Sequence, residues 1–319
     1  MRRWLLAGAG LALLGAGCGW FGLRAVQAPG PLSQARDVVV PRGGFGEVAA
    51  ALERAGVIDR PLVFRAVSAA TAWQGPLRSA ELRFPAGASL GQVLRVLRFG
   101  RPVQHRLTIA EGLTSAKVAA LLAEADGLRG DVVVPAEGSV LPQTYAYELG
   151  MTRASVLERA QAAFRRALAA EWAGRAAGLP LQSPGEAVVL ASIVERETAV
   201  PRERPLVARV FYNRLRLGMR LQSDPTVVYG VSGGSGVLPR GLSRADLEQA
   251  AAPYSTYASA GLPPGPICNP GISSIDAVLH PAASAALYFV ADGSGGHAFA
   301  DSLDEHDRNV RRARGRSAR

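Results

Sequence analysis

Glu195 and Glu197 close a run, Ala187-Val188-Val189-Leu190-Ala191-Ser192-Ile193-Val194, that is apolar but for one serine. A helix so hydrophobic on every side must be largely buried. A glutamate carried into such surroundings without a partner resists ionising, because desolvation penalises the charged form. It then holds a proton near neutral pH and can deliver it to a leaving oxygen, as general acid catalysis requires. Helical spacing does not choose between the two carboxyls. Glu195 lines up with Ala191 and Val188, Glu197 with Ile193 and Leu190. Arg196 reads as a solvated residue or a cation facing a ligand.

Downstream, Pro205 to Leu217 reads as a second helix, with Val207, Val210, Phe211 and Leu215 apolar and Arg209, Asn213, Arg214 and Arg216 interleaved; Gly218 ends it. Gln222, Ser223, Asp224, Thr226 and Tyr229 then crowd around Pro225. Amides, carboxylates, hydroxyls and aromatic faces gathered in this way suit the hydroxyls and ring faces of a sugar. An ordinary polar loop has the same composition.

Several motifs in order carry a resemblance. They are Leu190 to Thr198; FYNRL followed by GMRLQSDPTVVYG; YSTYASAGLPPGPICNPG from Tyr254; and YFVADGSGGHAF from Tyr288 to Phe299. Together they resemble the endolytic murein transglycosylase family, also called MltG or YceG-like, over nearly the whole chain. The resemblance implies an enzyme that cleaves nascent peptidoglycan glycan strands at the outer face of the inner membrane. It also implies work beside glycan-polymerising synthases, as a terminator of elongation. It makes the first glutamate, Glu195, the catalytic acid and base and leaves Glu197 a neighbour. Ser255 departs from the family's usual asparagine, keeping a hydroxyl but losing an amide.

Ordinary glycosidases need two carboxylates. A lytic transglycosylase manages with one, because the C6 hydroxyl of N-acetylmuramic acid (MurNAc) attacks its own C1 and leaves a 1,6-anhydro end at the bond to N-acetylglucosamine (GlcNAc). On this reading Asp224 supplies charge stabilisation, and Gln222, Tyr229, Tyr254 and Tyr257 contact saccharide. Asn213, Arg214, Thr226, Thr256, Asn269 and His297 complete the candidate substrate-binding set. A muramidase hydrolysing the same bond, and a non-catalytic peptidoglycan-binding scaffold, remain alternatives on the residues alone.

The elements that must position these groups begin with Trp4 to Leu23, uncharged after Arg2 and Arg3. Twenty helical residues at about 1.5 Å each span about 30 Å, enough to cross a bilayer. A retained inner-membrane helix with the catalytic part in the periplasm is expected, a cleaved signal peptide being the competing reading. Val38 to Leu52, Leu82 to Leu97 and Leu107 to Leu122 each read as strand, Gly-containing turn and helix. This weak repeat resembles LysM-like modules, or is a small α/β scaffold. Glu137 to Tyr147 reads as a Pro-turn connector into a helix capped by Thr152. Leu262 to Pro266 is a stiff loop suited to wall a groove, Ser273 to Leu279 is helical, and Leu287 to Ala300 is a hairpin. Asp301 to Arg314 is a charged helix capping it. The expected fold is α+β: residues 1–36 as cytoplasmic stub, transmembrane helix and linker, 37–148 as LysM-like α/β modules, and 149–319 as a mixed, helix-rich catalytic domain with a basic tail.

Composition excludes other chemistries. The formal charge is +10, but the one dense cluster, Arg308 to Arg319, is terminal, and an exported chain does not meet chromosomal DNA, so no nucleic-acid partner is expected. Lys117 is the single lysine and stands far from the polar motifs, which argues against pyridoxal phosphate; no cofactor is expected. The four histidines and two cysteines show no ligand spacing, so no metal is expected either. Cys18 falls in the predicted membrane helix, leaving Cys268 a lone thiol.

Overall fold

The structure, a computed structural model, describes residues 24, 26–248 and 253–317. The Trp4–Leu23 segment and Cys18 lie outside the described residues; among those described, no helix is long and apolar enough to cross a membrane. The fold is mixed α+β and rich in helix. It divides into two compact units: the described residues up to His105 with Tyr147–Gly150, and Arg106–Ala146 with the described residues from Met151 onward. The division departs from the boundary expected at 148. Arg106–Ala146 packs with the later residues because Asn269 hydrogen bonds to Leu113, Ser115 and Glu137.

In the first unit, β1 (Arg36–Val39), α1 (Phe45–Arg54), α2 (Pro61–Ala70), β2 (Glu81–Phe84) and α3 (Leu90–Phe99) follow in order. β1 and β2 pair antiparallel with Val38 opposite Leu82. Their inward side chains join the apolar helix faces in a core that includes Val38, Leu52, Phe64, Leu82, Phe84 and Leu97. Ser89 and Gln92 cap α3 reciprocally, each bonding the other's backbone N–H. The strand, turn and helix repeat is present at β1–α1 and β2–α3. It recurs in the second unit as β3 (His105–Thr108) and α4 (Ser115–Glu124). Gly87 and Gly112 turn at φ of 59° and 75°, where a side chain is disfavoured. The sequence reading lacked α2, which makes the outer order strand, helix, helix, strand.

The second unit continues with β4 (Thr144–Tyr147), which pairs with β3, so the expected connector holds a strand. Then come α5 (Arg153–Gly174), α6 (Pro184–Glu197), α7 (Arg204–Arg216), α8 (Asp224–Val231), α9 (Arg244–Glu248), α10 (Ile272–Leu279), the hairpin β5 (Tyr288–Ala291) and β6 (His297–Ala300), and α11 (Leu303–Ser317). Pro184 opens α6, and the Ser183 hydroxyl accepts the Glu186 N–H. Ala187 through Val194 are all buried, packed with Val207, Phe211, Tyr212, Ile275 and Val278. The hydrophobic-all-round reading thus holds, and α6 is the axis of this unit. The polar set around Pro225 differs from a loop. Pro225 sits in the first turn of α8, and Asp224 and Tyr229 are both carried by that helix.

Candidate active site

The last turn of α6 sends its two glutamates into different surroundings. Glu195 is engaged on both carboxylate oxygens. Arg204 Nη2 donates to Oε1 at 3.0 Å, and the Gly271 N–H and Ser274 hydroxyl donate to Oε2 at 2.9 and 2.8 Å. The ion pair is buried, with side chains 10% and 6% exposed for Arg204 and Glu195, and the same Arg204 nitrogen reaches Glu111 at 3.5 Å. The expectation of an unpaired carboxyl at Glu195 therefore needs correction. All three of these hydrogen-bond partners are donors, which suits a carboxylate acting as an acceptor.

Among the described residues Glu197 has one hydrogen bond, from the Ser223 hydroxyl at 2.5 Å. It keeps a little accessible surface, but the protein around it strips most of its hydration. Burial, with the Asp224 charge adding to it, pushes its carboxyl up to about 7 against the Ser223 bond and the charges of His297 and Arg214. Asp224 is exposed and accepts the Tyr257 hydroxyl at 2.6 Å. Beside it Gln222 holds φ at 51°, the one positive value for a non-glycine among the described residues. Such strain is tolerated where surrounding bonds fix it: the Gln222 N–H donates to Thr256 O, and the Ser223 N–H to the Thr256 hydroxyl. A largely buried carboxyl held up to about 7 beside an exposed carboxylate and its phenol partner is an arrangement that can give a proton to a polar ligand.

The sequence signature of the YceG-like family matches residues 38–312. The chain belongs to the YceG-like family. It is similar to an endolytic murein transglycosylase of Bacillus subtilis (strain 168), 42% identical over 121 residues, 38% of this chain and 32% of that protein. It is also similar to one of Streptococcus pneumoniae serotype 2, 34% identical over 182 residues, 54% of this chain and 31% of that protein. The chain thus spans about a third of the length of these curated relatives. A YceG-like protein of Listeria monocytogenes shares the fold with a TM-score of 0.53 and 25% identity, over 86% of this chain and 98% of the other.

Within this YceG-like unit, the residues expected to bind substrate separate into three groups. Asp224 and Tyr257 gather beside Glu197, with His297 near enough to act on its charge, while the Gln222 side chain meets Arg214 at 3.5 Å. Tyr229 and Tyr254 stack edge to face at 4.8 Å, and the Tyr229 hydroxyl donates to Glu137 rather than facing Glu197. Burial pushes the Glu137 carboxyl up, against bonds from Ser115 and Tyr229.

The third group is internal and is corrected from ligand contact to structural tie. Asn213 donates to Ser284 O and Ala286 O, both at 3.0 Å. Thr226 and Thr256 are buried and bond each other at 2.9 Å. Asn269 is fully buried and takes the Val140 N–H on its own oxygen. Arg214 is buried too, donating to Leu287 O and Leu221 O while burial pushes its pKa down; it contributes charge to Glu197 without facing solvent. Cys268 is likewise inert, since burial pushes its thiol up.

Sequence reasoning missed Arg204 and Glu203, and placed Ser223 in the polar set around Pro225 without its tie to Glu197. A cation in a first helical turn soon after a buried glutamate was a signal available for Arg204. The Pro263–Pro266 loop does wall a groove, a cleft of about 930 Å³ that also meets Glu137, Phe164, Arg165 and Val188. Neither Glu195 nor Glu197 lines it.

Proposed function

We propose that this chain is an endolytic lytic transglycosylase that cleaves the MurNAc to GlcNAc bond of peptidoglycan strands, with Glu197 as both acid and base. The observation that carries the assignment is the carboxyl held up to about 7 beside Ser223, Asp224 and Tyr257. In the reaction, the Glu197 proton passes to the glycosidic oxygen as the C1–O bond breaks. The muramoyl C6 oxygen then bonds to C1, and its proton returns to Glu197. The charge developing at C1 is met by the Asp224 carboxylate. Positioned proton transfer accounts for roughly 10²–10⁴-fold, and holding the C6 hydroxyl against C1 accounts for much of the rest. Glu195, bound to Arg204, Gly271 and Ser274, then anchors the turn from which Glu197 projects.

The relatives named endolytic murein transglycosylases support the substrate class. In the fuller reading, Trp4 to Leu23 anchors the chain in the inner membrane with both units in the periplasm, where it trims strands beside the synthases that polymerise them and so ends their elongation. The β1–α1–α2–β2 module is then a LysM-like glycan holder. Digestion of uncrosslinked peptidoglycan, read by mass spectrometry for Glu195→Gln and Glu197→Gln beside the unaltered chain, tests this. Anhydro-muramoyl ends that disappear with Glu197→Gln in a folded protein are expected. Reducing ends would make the enzyme a muramidase, and intact glycan would make it a scaffold.

A further inference from the structure

The histidine offered by the sequence as a substrate contact is held from behind by a carboxylate that no sugar contact explains. His297 Nδ1 lies 2.7 Å from Glu203 Oε2, which also accepts the Thr198 hydroxyl at 3.2 Å, and the His297 backbone N–H donates to Oε1 at 3.1 Å. Both side chains are largely buried, 10% exposed for Glu203 and 16% for His297. Burial pushes the Glu203 carboxyl up, yet the bonds from His297 and Thr198 outweigh it and hold the group below its ordinary value. An ionised carboxylate only accepts, so the facing ring nitrogen, Nδ1, carries a proton. Nε2 is the ring nitrogen that this pairing leaves unused. Phe289 meets the ring edge to face at 5.4 Å and fixes its plane. The approach also explains a glycine: a Cβ at Gly296 would stand 2.6 Å from Glu203 Oε1.

We propose that Glu203 is a positioning residue: it fixes the His297 imidazole through Nδ1, and the ring so held sets how readily Glu197 yields its proton. The proposal rests on the reading that Glu197 is the acid. The groups acting on Glu197 are Ser223 and Asp224 at the start of α8, Arg214 from α7, Tyr257 from the segment before α10, and His297 from β6. Asp224 raises its pKa, while His297 and Arg214 lower it.

Two measurements on the full chain test this. Long-range 1H–15N spectra of the histidine rings, with His297 assigned by its loss in His297→Gln, should show Nδ1 protonated throughout; a neutral Nε2–H ring would overturn the pairing whatever the activity. In the pH–rate profile of glycan cleavage, the alkaline limb should move up by about one pH unit in Glu203→Gln and in His297→Gln, the scale of one neighbouring charge. The double variant should move it no further. Lower rates with an unmoved limb would make both residues merely structural and overturn the tuning. A full chain that cleaves no glycan would remove the acid role and the tuning with it, while the ring spectra would still decide the Glu203–His297 pair.

Discussion

Two carboxyls leave one turn of α6, two residues apart, and meet opposite treatment. Around Glu195 the protein supplies an arginine, a backbone N–H and a hydroxyl, all donors. Around Glu197 it supplies one hydroxyl, a neighbouring carboxylate and burial. Both sit beside apolar rows, so hydrophobicity does not separate them. What separates them is where the next elements place their polar groups. Arg204 opens α7 and Ser274 lies in the first turn of α10, whereas Ser223 and Asp224 come from the start of α8. A buried carboxyl given donors serves as a brace, and one given a like charge keeps its proton.

The sharpest way to break this contrast is to neutralise each carboxyl in turn. Glu197→Gln should abolish glycan cleavage, a loss on the order of 10²–10⁴-fold or more, with the thermal midpoint unchanged or raised. Equal rates for Glu197→Gln and the unaltered chain in a product assay would sink its role as acid.

Glu195→Gln should act mainly on stability. Removing one partner of a buried ion pair costs about 3–5 kcal/mol where the other charge is left alone, and here Arg204 would keep only the longer contact to Glu111 at 3.5 Å, so the cost should fall toward the lower end of that range. Arg204 is already imperfectly satisfied, since its Nε is buried without a hydrogen-bond partner among the described residues. Replacing both residues, as Glu195→Leu with Arg204→Met, should therefore recover much of the loss in urea unfolding. A double variant as unstable as Glu195→Gln would show that Gly271 and Ser274, not Arg204, are what Glu195 holds.

Much of this unit was legible beforehand, and the failures share a cause. The buried helix ending at Glu197, the helix from Arg204 to Arg216, the C-cap at Gly218 and the hairpin around Gly293 to Gly296 follow from local periodicity and turn chemistry. Locally, nothing distinguishes Glu195 from Glu197, because their partners lie up to 79 residues away. Asn213 and Asn269 were expected at the ligand for the same reason. A polar residue in a motif looks alike whether it meets a sugar or a distant carbonyl, and only the tertiary arrangement shows Asn269 closing on Leu113 and Ser115. Glu203 was hidden among the charges of Arg202 and Arg204, although Gly296, which makes room for it, stood in a visible turn.

The contrast also has a pH signature. Burial holds the Glu197 carboxyl up to about 7, above the ordinary glutamate value of 4.5, so the native state binds the extra proton between these values. Its contribution to stability is fully present below about pH 4.5 and is lost as pH rises through about 7, a change of a few kcal/mol. Unfolding free energies measured across that window should fall for the unaltered chain relative to Glu197→Gln. Catalysis by the protonated acid should fade over the same alkaline limb. Parallel stability curves would mean that Glu197 is as ionised in the fold as in the unfolded chain.

A smaller effect sharpens the contrast at the strained edge of the Glu197 side. Gln222 holds a left-handed φ that costs an ordinary residue roughly 1–2 kcal/mol. Gln222→Gly should relieve that strain, but glycine has more freedom to lose on folding, so the net gain should be no more than about 1 kcal/mol. The same change frees the backbone that sets Ser223 against Glu197, and the cleavage rate should drop several-fold while the protein gains stability. Opposite signs in the two measurements are the result to look for. If rate and stability instead fell together, the Gln222 side chain, through its contact with Arg214 at 3.5 Å, would be bracing the site rather than its backbone.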